Sequence, residues 1–277
     1  MKKISLHIIR ALLFLTPFTL FANEEESDIS EVLFHHILNS NTLELFPFIP
    51  AITLPFGITV HLFMLWLSAA VILALFIPAF RKKTVRIFGI ATALETVVLF
   101  VRDDIVFPIM GEKRGEVWLP FFTTLFLFIL TINYLGLIPA FKSATGNFSV
   151  TTALAAMIMI LTFVVGFKNL GLIDFFKNMY PDDSPLPIGL FVLALEFLGL
   201  FIKMGVLSLR IFANMFAGHL AILSFLVLIF VLSPMATAVS VPFAVFTYTL
   251  EVLVALIQAL VFTLLSCIFI TMASSSH

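Results

Sequence analysis

Apolar residues come in runs along this chain, and charged residues collect in the gaps between them. Runs at about 57–80, 118–138 and 149–167 are each close to the roughly 20 residues that cross a bilayer as a helix, and two longer runs follow at 187–232 and 235–273. Upstream, residues 1–22 begin with Lys2, Lys3 and Arg10, continue through an apolar stretch, and end at Ala22 before Asn23 and a glutamate cluster. That is the layout of a secretory signal peptide, with a cut expected after Ala22 and an uncleaved N-terminal anchor as the alternative. Residues 23–56 then read as an exported lead-in, with His35, His36 and several prolines. Residues 85–117 carry Arg102, Asp103, Asp104, Glu112, Lys113 and Arg114 and are too charged to span, so they predict an interfacial helix and loop on the cytoplasmic surface. A polar stretch at 168–186 with Pro181, Pro185 and Pro187 separates the front of the protein from the back. The pattern predicts an all-α integral membrane protein: five mature transmembrane helices plus the interfacial helix, in a membrane domain over 57–277.

The last two runs exceed what a membrane needs. As one helix, the 46 residues of 187–232 would reach about 69 Å, more than twice a hydrocarbon core of about 30 Å. Either the segment breaks or it lies at a steep slant. Two long, strongly tilted helices joined as a hairpin near Ser233 and Pro234, over 187–273, are expected.

Composition agrees with the pattern. Hydrophobic residues make up 61% of the chain and charged residues 11%, against about 25% charged in an average soluble domain. The net charge of −1 gives no reason to expect nucleic acid as a partner, and the single Cys267 excludes a disulfide or cysteine metal cluster within the chain. The distribution of charge orients the spans. The expected cytoplasmic stretches hold nine basic residues: Arg81, Lys82, Lys83, Arg86, Arg102, Lys113, Arg114, Lys168 and Lys177; the exported stretches hold Lys142 alone. The positive-inside rule then puts the mature N-terminus outside and the C-terminus in the cytoplasm.

The chemistry lies in the final hairpin. Glu196, Lys203, Arg210 and Asn214 are spaced by 7, 7 and 4 residues, which gathers them into a stripe about 40° wide on one helix. A charge at mid-membrane costs roughly 2.5–3.5 kcal/mol on insertion scales, so such a stripe calls for water, an ion path or a partner. A Glu196–Lys203 salt bridge would account for two members. Arg210 sits too near the middle of its run to reach an interface. Gly199, Gly205, Ser208, Ala213, Ala217 and Gly218 accompany the charges and let another helix approach closely. On the last run, Glu251 and Gln258 are seven apart and share a face, with Tyr248 nearby. His219 lies roughly opposite Arg210 around its helix, and a hairpin would bring it within reach of Glu251 as a proton-relay pair. A buried histidine bonded to a backbone carbonyl is the competing reading. One histidine and one carboxylate are too few for zinc, and His35–His36 lacks a third ligand, so neither a metal nor a cofactor is expected.

These residues resemble a known family. Leu207-Ser-Leu-Arg210-Ile-Phe-Ala-Asn214-Met-Phe-Ala-Gly-His219-Leu220 is similar to the signature of subunit a of F-type ATP synthase. Glu251-Val-Leu-Val-Ala-Leu-Ile-Gln258 resembles the family's last helix, and Asn133-Tyr-Leu-Gly-Leu-Ile-Pro139 its second-span motif. The resemblance covers about 60–273. It implies a non-catalytic, proton-translocating stator subunit whose Arg210 faces the carboxylates of a rotating c ring. Asn214, His219, Glu251 and Gln258 would line an exported-side half-channel and Glu196 a cytoplasmic one, with Lys203 and Tyr248 in support. Implied partners are the c ring, the peripheral-stalk b subunits, the remainder of the synthase and membrane lipid. With the signal peptide, the resemblance implies a bacterial inner-membrane location. A sodium-translocating version of the same subunit is the alternative. A secondary transporter is a more distant one, since it would show internal repeats and interrupted helices.

Overall fold

A computed structural model of the chain describes residues 42–43, 52–53, 59–81, 89–138, 141, 143–178, 185–231 and 234–274. The expected signal peptide and the His35–His36 pair lie outside these residues. The described residues all belong to one unit, Asn39–His277. Two short strands, β1 (Thr42–Leu43) and β2 (Ile52–Thr53), pair antiparallel. Helix α1 is Val60–Arg81, and α2 (Ile90–Phe100) passes through a π-helical segment, Val101–Val106, into α3 (Phe107–Met110). Then come α4 (Glu112–Leu137), α5 (Phe148–Leu170), α6 (Leu172–Asn178), α7 (Leu186–Val231) and α8 (Pro234–Ser274).

Five of these helices, α1, α4, α5, α7 and α8, are long and apolar enough to cross a membrane. Local chemistry marks their ends. Gly111 and Gly171, at φ +75° and +84°, separate α3 from α4 and α5 from α6, a backbone region that only glycine enters without strain. Asn147 caps α5 by accepting a hydrogen bond from the Ser149 amide at 2.9 Å. Proline at the first position suits the start of α8. Helix α7 is unbroken for 46 residues; its length of about 69 Å fits a bilayer only at a steep slant.

The charged segment differs from its expectation. Residues 90–110 are helical throughout, and Val101, Ile105 and Val106 are buried in the main core with Phe122, Ile129, Ile158, Ile211, Phe262 and Ile270. Its charges point away: Asp103 and Asp104 are exposed, and Arg102 forks onto Asp103 through Nε at 2.7 Å and Nη2 at 3.1 Å. That hydrogen bond holds the Asp103 carboxyl below its ordinary range. The π turn puts apolar residues inward and charges outward within one short helix, which a count of charges over the window misses. Helix α4 also begins at Glu112, ahead of the expected start at 118, because its first turn is exposed and accepts charge. The polar stretch 168–186 contains α6, which docks through Phe175.

Helix contacts follow membrane logic, where small residues and hydrogen bonds hold helices together. Ser208 of α7 lies 3.1 Å from the Thr151 hydroxyl and 3.0 Å from that of Thr152 on α5. At Gly166 of α5, an added Cβ would meet the Phe175 ring of α6 at 2.5 Å. Gly166→Ala should therefore lift α6 from α5 and cost about 1–3 kcal/mol, the usual penalty for overpacking. Unfolding in detergent would measure it, and an unchanged midpoint would show that this seat is not tight.

Candidate functional site

Helix α7 has two distinct faces. Met204, Leu207, Ile211 and Met215 are buried, spaced three or four apart as one stripe of a helix. His219 continues that stripe by a further four residues and so turns into the bundle. Glu196, Lys203 and Arg210 lie on the opposite, exposed side. There Arg210 is surrounded by exposed Ile202, Val206 and Leu209, and a Cβ at Gly199 or Gly205 would meet nothing within 4 Å. Among the described residues Arg210 makes no ion pair, and the Glu196–Lys203 bridge is not formed either. Two turns separate those two residues by about 10.5 Å along the axis, and both side chains are free to extend outward.

Helix α8 mirrors this design. Ala255, Ala259, Phe262 and Ile270 form its buried stripe, and Glu251, 4% exposed, heads it. The small residues of that stripe let α7 and α8 pack against each other more extensively than any other pair of elements. His219 and Glu251 meet at this seam: Nδ1 lies 2.8 Å from Oε1. The other ring nitrogen, Nε2, lies 3.0 Å from the carbonyl oxygen of Gly136 in the last turn of α4. The carboxylate partner and the backbone carbonyl, set out above as competing readings, are both present.

Two glycines make room for this arrangement. A Cβ at Gly218 would lie 2.5 Å from Glu251 Oε1, so the carboxylate rests directly on the α7 backbone. A Cβ at Gly136 would lie 2.8 Å from Ser143 Oγ and 3.0 Å from Ser143 Cα, so Ser143 packs onto the end of α4. Gly218 stood out in the sequence as a small residue. The role of Gly136 had no signal beyond its place before Pro139, because the group that acts is a carbonyl every residue owns.

Among the described residues, the remaining expected ones form no hydrogen bond with this pair, and they differ in exposure. Asn214 and Gln258 are half-buried and Tyr248 is 38% exposed. Asn214 Nδ2, Glu251 Oε2 and Gln258 Oε1 are buried with no protein hydrogen-bond partner. Buried polar atoms are nearly always satisfied, so atoms left open among the described residues of α7 and α8 suit a place where water is exchanged. Among the described residues no three of His, Cys, Asp or Glu converge as metal ligands.

Known proteins match this chain over most of its length. The family model described as "ATP synthase A chain" matches residues 62–271, a span that contains every residue of the site. "ATP synthase subunit a 2" of Chlorobium luteolum is 38% identical over 269 residues, covering 92% of this chain and 78% of that protein. "ATP synthase subunit a" of Myxococcus xanthus is 43% identical over 226 residues, covering 79% and 74%. The protein of the same description from Anaeromyxobacter dehalogenans is 40% identical over 215 residues, covering 76% and 56%.

Gly218→Ala should drive the Glu251 carboxylate off His219, at a cost of about 1–3 kcal/mol for overpacking. Solid-state NMR of the labelled protein would record loss of the ring–carboxylate contact. Persistence of that contact would mean that α7 and α8 are less closely seated than 2.5 Å implies.

Proposed function

The chain belongs to the ATP synthase subunit a family of multi-pass membrane proteins, and from that premise we propose that it passes protons through two offset half-channels to and from the carboxylates of a rotating c ring. The observation that carries this reading is the division of α7: a guanidinium with no ion pair among the described residues on an open outer face, and an imidazole–carboxylate pair on the inner one. Arginine does not lose its proton in proteins. Arg210 therefore attracts each ring carboxylate and displaces its proton without relaying one, and it bars direct leakage between the half-channels. Asn214, His219, Glu251 and Gln258 line the exported-side half-channel, and Glu196 lies along the cytoplasmic one. Lys203 and Tyr248 support the two paths.

Protons, in preference to sodium, fit a site built on an imidazole, which exchanges a proton near neutral pH. The driving force is about 2.3 kcal/mol per charge per 100 mV; it turns the ring, and ATP chemistry belongs to partner subunits. The open face around Arg210 is where the c ring would run, while peripheral-stalk b subunits would hold this chain still in the F-type complex. The layout of residues 1–22 and the basic stretches supports a bacterial inner membrane, with the mature N-terminus outside and the C-terminus in the cytoplasm.

Arg210→Ala should abolish coupled ATP synthesis, by at least about 100-fold for loss of a charge required at the exchange step, while assembled complexes stripped of their catalytic sector still leak protons passively. Normal coupled synthesis in that variant would sink the reading. Orientation is checked separately in a Cys267→Ser background. Lys113→Cys should react with an impermeant maleimide from the cytoplasmic side and Lys142→Cys from the exported side; the reverse pattern would invert the topology.

A further inference from the structure

The Asn133–Pro139 motif has no role in the mechanism above, yet the end of α4 touches its central pair. We infer that this end is a built part of the proton site, and that the Gly136 carbonyl confines the exchangeable protons of the pair to the Glu251 side, so that protons pass through Glu251 and not through the imidazole ring. The inference rests on the channel reading and refines which atoms carry the proton.

A carbonyl oxygen only accepts hydrogen bonds. With Nε2 at 3.0 Å from Gly136 O, His219 must donate through Nε2–H, whatever the charge of the ring. An amide carbonyl takes up a proton only in strong acid, so the Nε2 proton has no acceptor to move to. Nδ1, at 2.8 Å from Glu251 Oε1, is then either the donor to a carboxylate or the acceptor from a carboxylic acid. A wire that entered at one ring nitrogen and left at the other would require Nε2 to release its proton, which this contact forbids. Glu251 offers the alternative: its Oε1 is engaged by the ring, whereas Oε2 is buried with no protein partner. A proton delivered by exported-side water forms an O–H bond at Oε2 while the Nδ1–H···Oε1 bond is kept. Its departure breaks that same O–H bond and restores the carboxylate. One proton enters, one leaves, and Nε2–H stays on the Gly136 carbonyl throughout.

The carbonyl is aimed by a network that is itself buried. The last four carbonyls of a helix lack intrahelical partners, and Pro139 has no N–H to give Leu135, whose carbonyl takes the Ile138 amide at 3.2 Å. Asn133 and Thr145 are fully buried. Thr145 Oγ1 donates to Asn133 Oδ1 at 2.9 Å, and Ser143 Oγ lies 3.3 Å from Thr145 Oγ1. Asn133 Nδ2 donates to the Ala255 carbonyl at 3.4 Å. Ala255 is one turn beyond Glu251, so the amide ties the end of α4 to α8 beside the carboxylate. Asn133 is thus a positioning residue, acting through Gly136.

The test uses the assembled synthase reconstituted in vesicles. Nitrogen-15 spectra of labelled histidine, with His219 identified by its loss in His219→Gln, should show Nε2 carrying a proton at every pH, with any change at the ring confined to Nδ1. A neutral ring with a bare Nε2 would overturn the inference. Proton flow in Glu251→Gln should fall by at least about 100-fold, the range of a lost acid–base group, and should fall further than in His219→Gln, which keeps an amide donor but cannot relay. Equal losses in the two variants would restore the ring as a relay. Asn133→Leu should unlock the ring and give a mixture of tautomers; a ring still held at Nε2–H would remove Asn133 from the design. The spectra do not depend on coupling, so failure of the channel reading, seen with Arg210→Ala, is distinguishable from failure of this one.

Discussion

A polar group at the depth of a bilayer has to be met by another polar group, by water or by a partner, because hydrocarbon offers nothing in exchange for its hydration. The seam between α7 and α8 is organised by that constraint. Glu251 is almost wholly enclosed, and the imidazole of His219 meets it at 2.8 Å. The imidazole in turn needs a second acceptor and finds it at the C-terminal turn of α4. The α7–α8 hairpin and the distant α4 are thereby held by two hydrogen bonds around one ring. Gly218 and Gly136 are where side chains had to be absent for this to happen, since a methyl group at either position would lie under 3 Å from the groups now packed there.

The same constraint explains why Arg210 faces the other way. A guanidinium with no carboxylate partner among the described residues cannot be enclosed at tolerable cost, so the buried stripe of Met204, Leu207, Ile211 and Met215 excludes it. Helix α7 is left with its outer surface open, and it is the least buried of the five spans. Its grip on the bundle comes from the inner stripe and from the Ser208–Thr151–Thr152 hydroxyl cluster, which leaves the charged face exposed. Inner pair and outer charge stay apart because they sit on opposite sides of one helix.

Much of this was legible from residue order. Runs of about 20 apolar residues predict spans whatever their neighbours, and spans form where those runs lie. The long final hairpin followed from run length, and the opposition of Arg210 to His219 followed from helical period. Other features were not legible. The π segment turns three valine and isoleucine side chains into the core from a stretch whose charges suggested a surface helix. Glu196 and Lys203 share a stripe but stay apart, since seven residues are a longer reach than a shared face suggests.

What the sequence determined by itself is periodic and local: which segments cross, which faces carry charge, and which residue types are available for proton chemistry. What the tertiary structure decided is which groups meet. Whether His219 would bond to a carboxylate or to a carbonyl depended on the crossing of α4, α7 and α8, and the crossing admits both. The deciding partner is the carbonyl of Gly136, and a backbone group leaves no mark in a string of side chains. Its role exists only where the chain has been folded back on itself.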